Sequence, residues 1–165
     1  MMEEKQIKYD IDGYDAITSA LRALINQYPA LSEEEEISFS VLEESSGKAM
    51  FPISGAVIES QKKTVTGKTT EICNYPFYVI YRASGLSENN KAKVKEWLDN
   101  LGKWLEQKKI YVNGTEYKLE ELPPLTEGRE FLNIGRETPA YLDTVNDNQS
   151  ENWAIYISAR YQYTY

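Results

Sequence analysis

The sequence predicts an α+β fold, a mostly antiparallel β-sheet with two helices packed on one face. Two segments carry apolar residues at the three- and four-residue spacing of amphipathic helices. Several others alternate apolar and polar residues, as strands with one buried face do. Short turns join neighbouring strands, which favours antiparallel pairing. The chain has 165 residues. We expect a single domain over 1–165, since chains usually divide only above about 250 residues.

The first predicted helix follows Asp12, which can cap it, and stops at Pro29. Its apolar stripe lies on one side only, so this helix should rest on a sheet. The stripe consists of Tyr14, Ile17, Leu21, Leu24, Ile25 and Tyr28. A second helix is predicted from its cap, Ser87, to about Gln107, with both of its tryptophans in the core.

Three strands are predicted between the helices. Residues 37–41 alternate as a half-buried strand, and residues 44–52 are predicted to form a loop. Residues 55–65 and 70–83 then form a long β-hairpin around the turn Thr66-Gly67-Lys68. The hairpin is polar near its tip, so the tip should project from the core. Beyond Pro76 both faces are apolar, which predicts a strand covered on both sides.

After the second helix, Asn113-Gly114 predicts a short hairpin within residues 110–119. An extended loop is expected from Pro123, followed by a strand over residues 137–145. The final segment, 153–165, alternates throughout and predicts a long strand. Its buried face should hold Trp153, Ile155, Ile157, Ala159, Tyr161, Tyr163 and Tyr165.

The composition excludes several kinds of site. The chain has no histidine and one cysteine, so no serine–histidine or cysteine–histidine catalytic device, no imidazole zinc site and no internal disulfide is possible. Cys73 is expected to be inert packing. Gly67-Lys68-Thr69 lacks the earlier glycine of a phosphate-binding loop, and Asp10–Gly13 has its glycine too early for a calcium loop. We therefore expect no cofactor and no enzyme, although a carboxylate-only enzyme stays open as an alternative.

Charge is unevenly placed along the chain. The whole chain carries a net charge of −8, and residues 1–50 hold 11 acidic and 4 basic residues. The acidic excess centres on Glu33, Glu34, Glu35 and Glu36. Such a surface repels phosphates, which argues against a DNA-binding domain; a solvated loop that aids solubility is the simpler interpretation. Residues 1–13 hold no apolar stretch, so we expect no signal peptide, no membrane span and a cytosolic origin.

The end of the chain resembles a known family. Residues 138–143 (TPAYLD) and 152–163 (NWAIYISARYQY) are similar to the ending of small tail proteins of Gram-positive tailed phages. These are tail terminator or tail-completion proteins, sometimes described as minor capsid proteins. The start, with ALRALI at 20–25 followed by Pro29, is similar too, as is a long helix ending in Trp-Leu-Glu at 104–106.

The resemblance implies an α+β protein that forms a homohexameric ring on the head-proximal end of the tail tube. The ring stops tube polymerisation and presents a surface to neck or head-completion proteins. The protein would have no catalytic residues and would reside in the virion, at the tail–neck junction, after assembly in the host bacterial cytoplasm. DNA would pass through without specific binding, and Glu33–Glu36 are the candidate acidic lining of the lumen.

Contacts with neighbouring subunits and the tube are expected on residues 44–52, 61–70 and 126–137. The candidate residues are Lys48, Met50, Phe51, Lys62, Lys63, Lys68, Arg129, Phe131 and Arg136. Two alternatives stay open at this point: another head–tail joining or minor capsid protein, and a monomeric module that binds a small ligand or carbohydrate through exposed tyrosines and tryptophans.

Overall fold

The computed structural model describes residues 6–165. Part of the segment 1–13, in which no signal peptide is expected, therefore lies outside the described residues. The helices are α1 (Tyr14–Ile25) and α2 (Glu88–Leu105). The strands are β1 (Ile37–Phe39), β2 (Gly47–Pro52), β3 (Val57–Lys63), β4 (Thr69–Ala83), β5 (Ile110–Val112), β6 (Thr115–Tyr117), β7 (Arg129–Arg136), β8 (Tyr141–Val145) and β9 (Glu151–Thr164).

One seven-stranded sheet dominates the structure, in the order β1-β2-β4-β9-β7. β3 pairs with the first half of β4, and β8 pairs with the first half of β9. All these pairings are antiparallel except β1 with β2. β5 and β6 form a separate hairpin. The predicted α+β class is confirmed by two helices and a mostly antiparallel sheet within residues 6–165. The alternation in β9 is a strong signal for a strand.

Both helices lie on the same face of the sheet. In α1, the Thr18 hydroxyl is 2.7 Å from the Tyr75 hydroxyl of β4. In α2, the Trp97 ring stands edge-on to Tyr81 of the same strand, with ring centroids 5.3 Å apart. Tyr28 links the helices, because its hydroxyl donates to the Trp97 carbonyl oxygen at 2.9 Å. Aromatic and aliphatic side chains together fill the layer between the helices and the sheet.

The opposite face of the sheet differs from the prediction for β4. Tyr78 and Ile80 were expected to be covered, yet both are only half-buried. The helices pack on the face that holds Phe77 and Val79, which are fully buried. A strand can be apolar on both faces without having another element packed on each face.

Residues 44–52 are not the predicted loop, because Gly47–Pro52 form β2 between β1 and β4. Serine and glycine at 45–47 suggested a loop, and the strand itself shows no alternation. Ala49 and Met50 are adjacent and both fully buried, so neighbouring strands and side chains cover both faces at that point. A short strand covered in this way has no period of two to detect.

Residues 126–137 are also not a loop, because Arg129–Arg136 form the edge strand β7. Two features explain why the sequence does not predict this strand. A bulge between Phe131 and Asn133 interrupts the alternation, and a buried position is occupied by the charged residue Arg129. An arginine is almost never fully buried unless it is paired, so the sequence alone favours an exposed loop here.

The start of α1 also departs from prediction. Gly13, not Asp12, occupies the N-cap, and the Asp10 carboxylate accepts the Gly13 N–H at 3.1 Å. The predicted cap of α2 is confirmed, because Ser87 accepts the Asn90 N–H at 3.2 Å. Neither helix within residues 6–165 is long and apolar enough to cross a membrane.

Candidate interaction surfaces

The tip of the β3–β4 hairpin is exposed, as its polar sequence predicts. β3 is exposed from Glu59 to Lys63. The turn is closed by the Thr64 N–H, which donates to the Lys68 carbonyl oxygen at 2.8 Å. Thr69 exchanges two hydrogen bonds with Tyr165, so β9 accompanies β4 to this point and only the turn extends beyond it. The base of the turn is therefore held on β9 by hydrogen bonds, and the turn itself projects beyond the sheet.

Three of the predicted contact residues, Lys62, Lys63 and Lys68, lie on this tip. None of them forms an ion pair with another residue in the range 6–165. Val65 at the apex is fully exposed although it is apolar. We call residues 62–68 the basic turn. It offers three cations and one exposed apolar side chain, which suits binding to an acidic partner surface.

The candidate lumen residues Glu33–Glu36 are exposed between α1 and β1. We call them the acidic segment. Glu35 anchors the segment to the sheet by an ion pair with Lys48, whose hydrogen bond holds the pKa of Glu35 below its usual value. The Lys48 Nζ atom in turn lies 4.3 Å from the centre of the Tyr81 ring. The other three glutamates face solvent, which leaves their charge available to a partner or a lumen.

The structure does not support Lys48 and Met50 as contact residues. Met50 is fully buried in the core. Lys48 is committed within the chain to Glu35 and to the rings of Tyr81 and Trp97. Phe51 has a different environment, because it is half-buried on the sheet face away from the helices. Only Phe51 in this group is positioned to meet another molecule.

Arg129 is also not available for contacts, because its guanidinium is buried against Asp10. Two hydrogen bonds of 2.9 Å join the Nε and Nη2 atoms to the two carboxylate oxygens. The Tyr161 hydroxyl donates to the same carboxylate at 2.6 Å. Burial alone would raise the pKa of Asp10, but the bonds from Arg129 and Tyr161 outweigh it and hold the pKa below its usual value.

The other two candidates on β7 are likewise engaged inside the chain. Phe131 is buried in the core. The Arg136 guanidinium binds the Glu106 carboxylate at 2.9 Å, and the Arg136 N–H donates to it at 3.0 Å. This pair fastens β7 to the end of α2, and both side chains are less than a quarter exposed. On β7, Arg129 and Arg136 thus form internal ion pairs, and Phe131 packs in the core.

An aromatic surface that the sequence did not single out lies on the uncovered sheet face. Phe51, Tyr78 and Tyr156 are cross-strand neighbours on β2, β4 and β9. The Tyr78 and Tyr156 ring centroids are 5.2 Å apart. We call these three residues the aromatic row. Alternation in β9 assigns Tyr156 to the face away from the core, but the alignment across strands depends on registers that the sequence does not give.

A groove runs between β7 and the loop 120–125, with a volume of about 710 Å³. Gln107 holds the loop in place, because its side-chain amide donates to the Glu120 carbonyl oxygen at 3.1 Å. We call this space the β7 groove. A second cavity, of about 340 Å³, lies beside Tyr9, Ile11 and Tyr14. Neither contains a group of acidic or cysteine side chains placed to hold a metal ion, within residues 6–165.

Cys73 lies in the core, as predicted. Its side chain is fully buried. Burial raises the pKa of the thiol to about 11, so almost none of it is thiolate at neutral pH. This thiol therefore has the environment of a packing residue.

Comparison with known proteins adds no family assignment. No profile of a known protein family matches this chain, and no curated protein sequence is significantly similar to it.

Proposed function

We propose that this protein is a structural virion protein, a tail terminator that forms a ring on the head-proximal end of a phage tail tube. In this role it stops polymerisation of the tube and joins the tube to the neck. The observation that carries the proposal is the basic turn, an exposed element that is hydrogen-bonded to β9 at its base and whose lysines form no ion pair among residues 6–165. The resemblance of residues 138–163 to tail terminators supports it.

Two carboxylates that form internal ion pairs, Asp10 and Glu106, have the contacts of structural rather than catalytic groups. Asp10, the most buried of them with an ion-pair partner, has both oxygens committed to Arg129, Tyr161 and Gly13. Glu106 is similarly occupied by Arg136. A general acid or base needs a free lone pair or proton that faces substrate. These two carboxylates instead hold elements of the fold together.

We also propose that the acidic segment lines the lumen of the ring. Repeating the segment around a ring would concentrate carboxylates on one circumference, which would repel DNA phosphates and let packaged DNA pass without adhering. The anchoring of Glu35 by Lys48 keeps the segment at a fixed place. A map of the ring that places Glu33–Glu36 on the outer rim would contradict this assignment.

The proposal is tested with tail tubes assembled from the cognate tube protein. Purified protein is added to growing tubes, and tube length and tube ends are examined by negative-stain electron microscopy. We expect a ring at one end of each tube and arrested growth. Tubes that grow to the same uncontrolled length with and without the protein would contradict the proposal. Another head–tail joining protein would bind the neck but leave tube length unchanged.

The aromatic row favours one second candidate, a monomeric carbohydrate-binding module. Tyrosine rings on an open sheet face can stack on sugar rings, and Tyr78 and Tyr156 are adjacent there. Titration with glycans while tyrosine and tryptophan fluorescence is monitored separates the two. A saturable change that is lost in Tyr78→Ala and Tyr156→Ala would favour the binding module over the terminator.

A further inference from the structure

We propose that copies of this protein associate head to tail, with the basic turn of one copy seated in the β7 groove of the next. The inference deepens the proposed function, on which its biological meaning rests, because it names the two surfaces that would join subunits. It is argued from the edges of the sheet, the charges on each surface and the shape of the groove.

The two surfaces lie on opposite edges of one sheet. Around Thr70 and Tyr163, the strands run in the order β3-β4-β9-β7. β7 pairs with β9 alone among the described strands. β3 pairs only with β4 apart from a bridge at Val57, which leaves its outer edge free from Glu59 to Lys63. Free edges of this kind are ready to receive another chain.

The surfaces are complementary in charge. The basic turn carries Lys62, Lys63 and Lys68, with no acidic residue from position 60 to 70. The β7 groove is lined by three exposed glutamates, Glu120, Glu121 and Glu130. Arg129 also lines the groove, but its charge is buried and paired with Asp10. The turn thus carries three cations and the groove carries three carboxylates.

The shapes also agree. Leu122, Leu125 and Leu132 also line the groove, so it offers apolar contacts as well as carboxylates. Val65, the exposed apolar residue of the basic turn, is flanked by Thr64 and Thr66, so no long side chain is adjacent to it in sequence. The groove volume of about 710 Å³ falls within the range of about 300–1,000 Å³ that is typical of small-ligand sites.

The contact cannot form within one chain. The basic turn and the β7 groove lie on opposite edges of the sheet with β4 and β9 between them, and adjacent strands are spaced by about 4.8 Å. The hydrogen bonds from Thr69 to Tyr165 fix the base of the turn on β9. The acceptor groove must therefore belong to a second copy, and a contact between two different surfaces builds either a closed ring or a filament.

The first test uses single cysteines, since the native Cys73 is buried and inert. A tagged Val65→Cys variant is mixed with an untagged Leu132→Cys variant under mild oxidation. A disulfide needs Cα atoms within about 7 Å of each other. We expect a mixed disulfide, because the proposed contact places Val65 of one copy beside Leu132 of the next. The matched control pairs Val65→Cys with Val145→Cys, an exposed valine on β8. Absence of the first disulfide, or equal yields in both mixtures, would overturn the inference.

The second test reverses the charge of each surface in the Val65→Cys and Leu132→Cys variants. Changing Lys62, Lys63 and Lys68 to glutamate makes both surfaces of a copy acidic, and changing Glu120, Glu121 and Glu130 to lysine makes both basic. We expect each variant alone to lose at least nine-tenths of the crosslink. A mixture of the two variants restores it, since every contact between unlike copies is then complementary. Failure of the mixture to crosslink, with both variants folded, would contradict the pairing.

The mixture of the two variants also predicts the number of subunits in a closed ring. Because unlike copies must alternate, a closed ring of the mixture contains an even number of subunits, which native mass spectrometry measures. A closed ring of the mixture with an odd number of subunits would contradict the proposed contact. Loss of crosslinking while tube capping persists would refute this contact and leave the proposed function intact. Crosslinking without any effect on tubes would support this contact and refute the proposed function.

Discussion

Asp10 and Arg129 are separated by 119 residues in the sequence and are joined by two parallel hydrogen bonds of 2.9 Å. The pair ties the segment before α1 to the start of the edge strand β7. The Tyr161 hydroxyl adds a third bond from the central strand β9. Gly13 packs against the pair so closely that a β-carbon there would stand 2.1 Å from an Asp10 oxygen. Three distant parts of the chain thus meet at one carboxylate.

We expect Asp10→Ala to destabilise the protein strongly. Removing one partner leaves Arg129 as an uncompensated buried charge, which typically costs about 3–5 kcal/mol. Urea denaturation followed by tryptophan fluorescence measures the change. Glu127→Gln is the matched control, because Glu127 also contacts Arg129 at 3.3 Å but is 73% exposed. Its cost should stay below about 1 kcal/mol. If both variants lost the same free energy of unfolding, the buried pair would contribute no more to stability than the exposed contact of Glu127.

The same carboxylate predicts how stability depends on acid. The pKa of Asp10 is lowered in the folded protein, so its stabilising effect is complete above the unfolded pKa of about 3.9. The effect is lost as pH falls through the lower folded value. The free energy of unfolding should therefore drop more steeply from pH 5 towards acid in the native protein than in Asp10→Asn. Parallel curves for the two proteins would contradict the assignment.

Cys73 should resist thiol reagents until the protein unfolds. Its thiol is buried, and a pKa of about 11 leaves almost no thiolate at pH 8. We expect labelling by a chromogenic disulfide reagent to be at least a hundredfold slower in native buffer than in denaturing urea. A native rate close to that of a free thiol would mean that β4 opens readily.

Two glycines with nearly identical backbone geometry provide a steric test. Gly114 and Gly128 have φ of 81° and 80°, so an alanine is strained at either position, by about 1 kcal/mol. At Gly128 a β-carbon would also stand 2.3 Å from the Thr164 carbonyl oxygen, whereas at Gly114 no atom lies within 4 Å. Gly128→Ala should therefore lower the melting temperature clearly more than Gly114→Ala. The reverse order would contradict the close packing of Gly128 on β9.

Local signals predicted much of this fold, and tertiary effects account for the rest. β9 and the β3–β4 turn could be predicted because alternation and a Thr-Gly-Lys turn are properties of adjacent residues. β2 and β7 are not predicted by the sequence, because β2 is short and shows no alternation and β7 is interrupted by a bulge. The surfaces divide in the same way. The lysines of the basic turn lie where they were expected, but Arg129 pairs with a residue that no local pattern connects to it.

The position of β9 has a consequence for folding during synthesis. β9 pairs with β4 along its whole length and with β7 and β8 on its other side, so it is the central strand of the sheet. Residues 151–164 must leave the ribosome before β4, β7 and β8 gain this shared partner. Until then β4 presents an unpaired apolar edge, which is the kind of surface that chaperones bind and that aggregates form on.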